Sequence, residues 1–355
     1  MLTWRKREAN LRLVTQFLKA LSAAKRFWEY RKAQRGGGVV IEITGTCNAK
    51  CYYCQVGQDV LNHVKSTKRL YFPVDDFRET VRYLKAHGLL TEGNMLSLYC
   101  WNEPLLHPDF CEIIKICEEE KCLVSFSTNA SVRPKLSDDF DATCIGNIIF
   151  SMPGFSQASY DKIHQFDFER IKLNIEWMVK TFRKHGFFGF FVVRFHVYQF
   201  NVHEIEPARK WARSLGVFFE PYYASINDNK KLWQYVEANV PYDYLMHVSR
   251  DLNMGKYLCR NVQQGRECFA MRLLYIDTDG CLFWCCMCDV GMGRLEDIKS
   301  REQLFEMRCN SEICKKCLKI LKPDRFGDLG FFTMENFKRR VSCFYVYEAL
   351  KTCFL

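Results

Sequence analysis

Between residues 39 and 222 the chain alternates short runs rich in β-branched and aromatic residues with longer stretches whose apolar positions recur every three or four residues. The short runs at 39–44, 95–99, 123–127, 147–152, 190–198 and 217–222 predict strands. The stretches at 73–87, 108–120, 168–185 and 203–215 predict amphipathic helices. Six strands alternating with helices predict an α/β fold with a parallel sheet and right-handed crossovers, as a partial or closed barrel or an open wound sheet. In the fifth run, alternation sets Arg194, His196 and Tyr198 opposite Phe191, Val193 and Phe195.

Two flanking regions break this rhythm. Residues 4–32 place Trp4, Leu11, Val14, Leu18, Leu21 and Trp28 on one helical stripe, and Gly36-Gly37-Gly38 ends it. This predicts a basic amphipathic helix within 1–36, docked on the main domain or turned toward an acidic partner or an anionic membrane surface. After a connection at 226–257, residues 258–322 hold nine cysteines and few helical patterns, which predicts a small metal-organised module. The end, 323–355, has a helical stripe through Met334, Phe337, Val341 and Phe344 and predicts a packing helix.

Composition narrows the classes. With 355 residues, 48% of them hydrophobic, the chain can bury a large core. No run reaches the ~18 apolar residues of a membrane span, and charges interrupt the N-terminus, so a cytoplasmic protein is expected. Nineteen cysteines then point to metal or redox work rather than disulfides. The net charge of +10 is concentrated in residues 1–36, where ten Lys and Arg face Glu8 and Glu29. The remainder is nearly neutral, which argues against general nucleic-acid binding.

The densest chemistry is Cys47-Asn-Ala-Lys-Cys51-Tyr-Tyr-Cys54, three thiols directly after the first predicted strand. A cube of four irons and four sulfides takes one thiolate per iron, so three cysteines leave one iron open to a ligand. The competing reading is a structural zinc site with a borrowed fourth ligand such as His63.

These residues resemble the radical S-adenosylmethionine superfamily, whose hallmark is this cysteine spacing with an aromatic residue, here Tyr53, before the last cysteine. Three further segments match in order: Leu96 to Pro108, containing Trp101-Asn102-Glu103-Pro104; Ser125 to Asn129; and Ile148 to Gly154. The family's two glycines before the glutamate are replaced by Trp101 and Asn102. The resemblance implies a partial (β/α)6 barrel over 39–225 carrying a 4Fe-4S cluster on Cys47, Cys51 and Cys54. S-adenosylmethionine would chelate the open iron, and its reductive cleavage would give a 5′-deoxyadenosyl radical that abstracts hydrogen from an unactivated C–H bond. The backbone of Trp101 and Asn102, with Glu103 as charged partner, would meet the cofactor's amino group. Asn129 and Ser151 would contact its ribose and Arg194 its carboxylate. His107 would fix the second-strand turn, and His196 reads as a hydrogen-bonded core histidine.

The tail resembles the short SPASM or twitch extension of the same superfamily. Cys268, Gly280 with Cys285 after four intervening residues, and Cys314-Lys-Lys-Cys317 match its pattern, and Asp277-Thr-Asp-Gly280 signals a hairpin. The resemblance implies one auxiliary 4Fe-4S cluster on Cys268, Cys285, Cys314 and Cys317, with Cys286, Cys259 and Cys309 as substitutes; zinc on the same thiols is the alternative. A closed cluster implies electron transfer and a net two-electron oxidation. Hydrogen return from Cys100 or Cys144 would instead give epimerisation. The implied partners are a reductant such as flavodoxin or ferredoxin and a substrate that is a small molecule, a carbohydrate or a peptide. The lack of a leader-binding domain ahead of the barrel favours the first two.

Overall fold

The computed structural model describes residues 38–57, 69–91, 94–237, 239–254 and 268–320. The expected N-terminal and C-terminal helices, His63 and Cys259 lie outside them. Six strands overlap the predicted ones: β1 (Val39–Ile41), β2 (Met95–Ser97), β3 (Leu123–Thr128), β4 (Ile145–Met152), β5 (Phe190–Val197) and β6 (Phe218–Tyr223). The helices among and after them are α1 (Val74–Ala86), α2 (Phe110–Glu119), α3 (Gln157–Lys162), α4 (Phe168–Lys184), α5 (Ile205–Ser214), α6 (Asn229–Val236) and α7 (Tyr242–Asp251). A hairpin-bearing segment follows, with β7 (Leu274–Ile276), β8 (Cys281–Cys285), β9 (Cys288–Arg294), α8 (Arg301–Asn310) and α9 (Glu312–Ile320).

The strands form one sheet in the order β6-β5-β4-β3-β2-β1-β7-β8-β9. Every pairing from β1 to β6 is parallel, as the alternating pattern requires. The sequence pattern did not reveal that β7 also joins β1 in parallel, with Val39 opposite Leu274 and Ile41 opposite Ile276. The expected hairpin is present: β7, β8 and β9 are antiparallel, Gly280 takes φ +76° in the turn, and Asp277 Oδ1 accepts from the amides of Asp279 and Cys281. A positive φ suits glycine because it has no Cβ to clash.

Burial follows from position in the sheet. β1 is covered on both faces and wholly buried, whereas every residue of edge strand β6 is partly exposed. In β5, Phe191, Val193 and Phe195 enter the main core with the α4 residues Ile171, Ile175, Met178 and Phe182. Burying each such side chain contributes about 1.5–3 kcal/mol. Asp167 starts α4 by accepting from the Arg170 amide at 2.6 Å, and Ser300 caps α8 from the Gln303 amide at 3.1 Å. The sheet is curled: Tyr99, just beyond β2, is an electrostatic neighbour of Arg194 on β5, three strands away. No helix among the described residues is long and apolar enough to cross a membrane.

Candidate metal centre

The loop carrying Cys47, Cys51 and Cys54 leaves the C-terminal end of β1. Its base is fixed by the Gly45 amide donating to Leu70 O at 2.8 Å and the Phe72 amide to Ile43 O at 2.9 Å. Its far end bridges to the segment after β6, where the Asn227 amide donates to Tyr53 O at 2.9 Å. The Tyr53 hydroxyl donates to Asp251 Oδ2 at 3.0 Å, so the aromatic residue anchors the loop on α7. Gly57 packs against the loop backbone, and a Cβ there would lie 2.3 Å from Cys51 O.

Nitrogen donors approach the sulfurs. The Ala49 amide lies 3.5 Å and Asn129 Nδ2 3.8 Å from Cys47 Sγ, and Asn227 Nδ2 lies 4.0 Å from Cys54 Sγ. Burial, followed by the nearby Glu103 charge, pushes the Cys47 thiol up to about 12. Burial and the other two cysteines hold Cys51 well above its ordinary value, and burial raises Cys54 as well. The three thiols therefore keep their protons until a metal displaces them. No three His, Cys, Asp or Glu side chains among the described residues converge as a ready-made cage.

The segment after β2 is organised by a residue that the motif comparison overlooked. Glu42 accepts from the amides of Cys100, Trp101 (2.6 Å) and Asn102 (3.2 Å), and from the Asn102 side chain. The signal was present as the single charge within the apolar run Val39-Val-Ile-Glu-Ile. Burial raises its carboxyl to about 7 against those hydrogen bonds. Asn102 Oδ1 is buried with no hydrogen-bond partner. Glu103 is also buried; its carboxylate accepts from Thr128 Oγ1 (2.7 Å), the Asn129 amide (2.7 Å) and the Leu105 amide (3.1 Å). His107 holds the following turn, Nε2 bonding Phe72 O at 2.9 Å and Nδ1 accepting from the Asp109 amide at 3.1 Å.

Cys47, Glu103 and Asn129 thus form one cluster at the C-terminal edge of the sheet, joined through Asn48 and Ser131. Ser151 lies on the inner face beside Ser127, with their hydroxyls 3.0 Å apart. Arg194, in register with Ser151, donates from Nε to Glu220 Oε2 at 2.7 Å. Glu220 was not anticipated, because cross-strand partners are set by register.

A protein-family model described as the radical SAM superfamily matches residues 41–212. Residues 41–212 are a radical SAM domain. Among solved structures, Streptococcus suis SuiB bound to S-adenosylmethionine is similar at 15% identity and a TM-score of 0.51, covering 82% of this chain and 77% of that one. Another SuiB structure is similar at 16% identity and a TM-score of 0.45, with 70% of this chain covered but only 60% of that chain. Native anSMEcpe with bound AdoMet gives 14% identity, a TM-score of 0.49 and coverages of 79% and 82%. At these identities the likeness concerns the fold alone. No curated protein matches the chain.

A radical SAM domain implies a 4Fe-4S cluster and S-adenosylmethionine, and the residues present suit both. Three thiols on one loop, with nitrogen donors at Cys47 and Cys54, supply the ligands for three irons. The orphaned Asn102 oxygen is a free acceptor that would suit an ammonium group at this segment.

Beyond the radical SAM domain, the four expected cysteines are electrostatic neighbours, and buried Cys288 joins them, acting on Cys285, Cys314 and Cys317. Cys268 acts on Cys314 and Cys317, Cys314 on Cys317, and Cys317 on Cys285. Cys268 precedes a 3₁₀ turn, Cys285 ends β8, and Cys314 and Cys317 lie on α9. Cys286 faces the barrel, its carbonyl accepting from Trp101 Nε1 at 2.6 Å beside Cys100. Cys309 is exposed on α8, and Cys144 approaches Ile114 O.

Proposed function

We propose that this chain is a radical SAM oxidoreductase that removes hydrogen from an unactivated C–H bond, with an auxiliary 4Fe-4S cluster on Cys268, Cys285, Cys314 and Cys317 taking part in electron transfer. The observation that carries the reading is the cluster of Cys47, Glu103 and Asn129 at the C-terminal edge of a curled parallel sheet, where α/β ligand sites gather. The bound cluster and S-adenosylmethionine supply the radical chemistry.

The protein's own residues position and enclose. Cys47, Cys51 and Cys54 hold three irons, and Asn102 Oδ1 meets the cofactor's ammonium with Glu103 as its charged partner. Glu103 fixes the end of β3, so that Asn129 and Ser151 line the ribose contact. Arg194 meets the cofactor carboxylate. The neighbouring inner-face groups Tyr99, His196, Glu220 and Tyr222 suit a polar, hydroxyl-bearing small molecule or carbohydrate. A peptide is the second reading, since a SuiB structure bound to precursor peptide SuiA matches at a TM-score of 0.50. The reductant is a flavodoxin or ferredoxin, and the basic N-terminal segment meets an acidic partner or membrane surface. A site inside the cytoplasm suits the reduced thiols.

Anaerobic reconstitution tests this. The expected result is ~8 irons per chain, two four-iron cubes, with dithionite-dependent release of 5′-deoxyadenosine. Cys51→Ala abolishes release, whereas Cys314→Ala leaves partial, uncoupled release. Zinc binding without cofactor cleavage sinks the proposal. Deuterium carried from a labelled candidate into 5′-deoxyadenosine identifies the substrate.

A further inference from the structure

Arg308 projects from α8 with 1% of its surface exposed. Nη1 donates to Ala270 O at 2.7 Å and Leu273 O at 2.6 Å, and Nη2 to Phe283 O at 3.3 Å. Its guanidinium carbon lies 5.9 Å from the centre of the Tyr275 ring. All of these partners are neutral. Nε is buried with no hydrogen-bond partner. The ionisable groups acting most strongly on it are Tyr275, Cys285, Cys314 and Cys268, with no carboxylate among them.

An arginine stays protonated, and an unpaired buried charge is strongly disfavoured unless an anion accompanies it. The cysteines around this one supply no charge while they hold their protons. Once four thiolates surround an oxidised 4Fe-4S core, the group carries a net charge of about −2; zinc on four thiolates carries the same. A buried cation, an unused N–H donor and the neighbouring thiols of Cys285, Cys314 and Cys268, three of the four expected ligands, therefore complement one another.

We propose that Arg308 is the counter-charge of the metal group held by Cys268, Cys285, Cys314 and Cys317, with its free Nε–H reserved as a donor to that group. The inference rests on the auxiliary-cluster reading above and adds a determinant that cysteine spacing does not contain. Because one-electron reduction makes the cluster more negative, a fixed adjacent cation favours the reduced form and raises the potential. Arg308 is thus a positioning and electrostatic residue, away from the reacting atoms.

The test uses the full-length chain carrying C47A/C51A/C54A, so that only the auxiliary site binds metal. Iron and zinc are counted after anaerobic reconstitution, and the potential is read by redox titration. Three side chains are compared at position 308: arginine, lysine, which keeps the charge, and glutamine, which keeps hydrogen-bond donors without charge. The expected result is R308K within threefold of the parent in its reduced-to-oxidised ratio at a fixed potential. R308Q is shifted at least tenfold toward the oxidised form, about 59 mV for a one-electron couple, or fails to hold metal. An R308Q potential equal to the parent's, or equal loss of metal in R308K and R308Q, overturns the counter-charge role alone. A parent that binds neither iron nor zinc, or whose metal content is unchanged by C314A, overturns the auxiliary-cluster reading and this inference with it.

Discussion

The carboxylate of Glu42 accepts the main-chain amide of Trp101 at 2.6 Å. It ties β1 to the segment where glycines are expected in a radical SAM domain and holds that backbone in place despite the bulkier Trp101 and Asn102. Without Glu42, three amides and the Asn102 side chain lose an acceptor in a buried setting.

Glu42 therefore gives a pH-dependent prediction. Its folded value is raised from 4.5 to about 7, so its contribution to stability is fully present below about pH 4.5 and lost as pH rises through 7. E42Q removes this titration and opposes an NH2 group to the Asn102 donors, costing about 1–3 kcal/mol at low pH. Urea midpoints should show wild type ahead of E42Q at pH 5 and that lead lost or reversed at pH 8, a swing on the order of 3 kcal/mol. A constant gap contradicts the assignment.

His107 has the opposite sign. Burial lowers its folded value below 6.5, so its contribution is present above about pH 6.5 and lost as pH falls. Protonating Nδ1 removes the acceptor for the Asp109 amide. H107A should flatten the acid side of the stability profile, read by thermal melts between pH 5 and pH 7; an unchanged slope counts against it.

Gly57 is tested by iron content. In G57A a Cβ would stand 2.3 Å from Cys51 O and 2.7 Å from its amide nitrogen, so the cysteine loop must shift. Reconstituted G57A should hold ~4 irons per chain in place of ~8, losing the radical SAM cluster. Full iron content in a folded variant refutes the prediction.

Arg194 and Glu220 form a largely enclosed ion pair, with side chains 32% and 15% exposed. R194A strands Glu220 and should cost about 1–3 kcal/mol, after allowance for partial exposure; R194A/E220Q should recover part of it. Because Glu220 competes for the guanidinium assigned to the cofactor carboxylate, E220Q should tighten S-adenosylmethionine binding severalfold and R194A weaken it. Equilibrium dialysis decides both, and equal affinities in all variants remove Arg194 from the site.

By itself the sequence determined the six strands, four of the helices and the cysteine loop. Each is a local or periodic signal: apolar runs for strands, three- and four-residue steps for helices, and fixed spacing for ligands on one loop. The 277–280 turn was legible for the same reason, since Asp277 and Gly280 fix their own backbone. Only the tertiary structure decided that β7 lies parallel to β1, that Glu42 serves the 100–102 segment, that Arg194 pairs with Glu220, and that Arg308 sits unpaired beside the tail cysteines. Those relations join residues up to 235 positions apart through register and burial. No window of sequence carries that information, because the free energy of pairing or stranding a charge depends on what folding brings beside it.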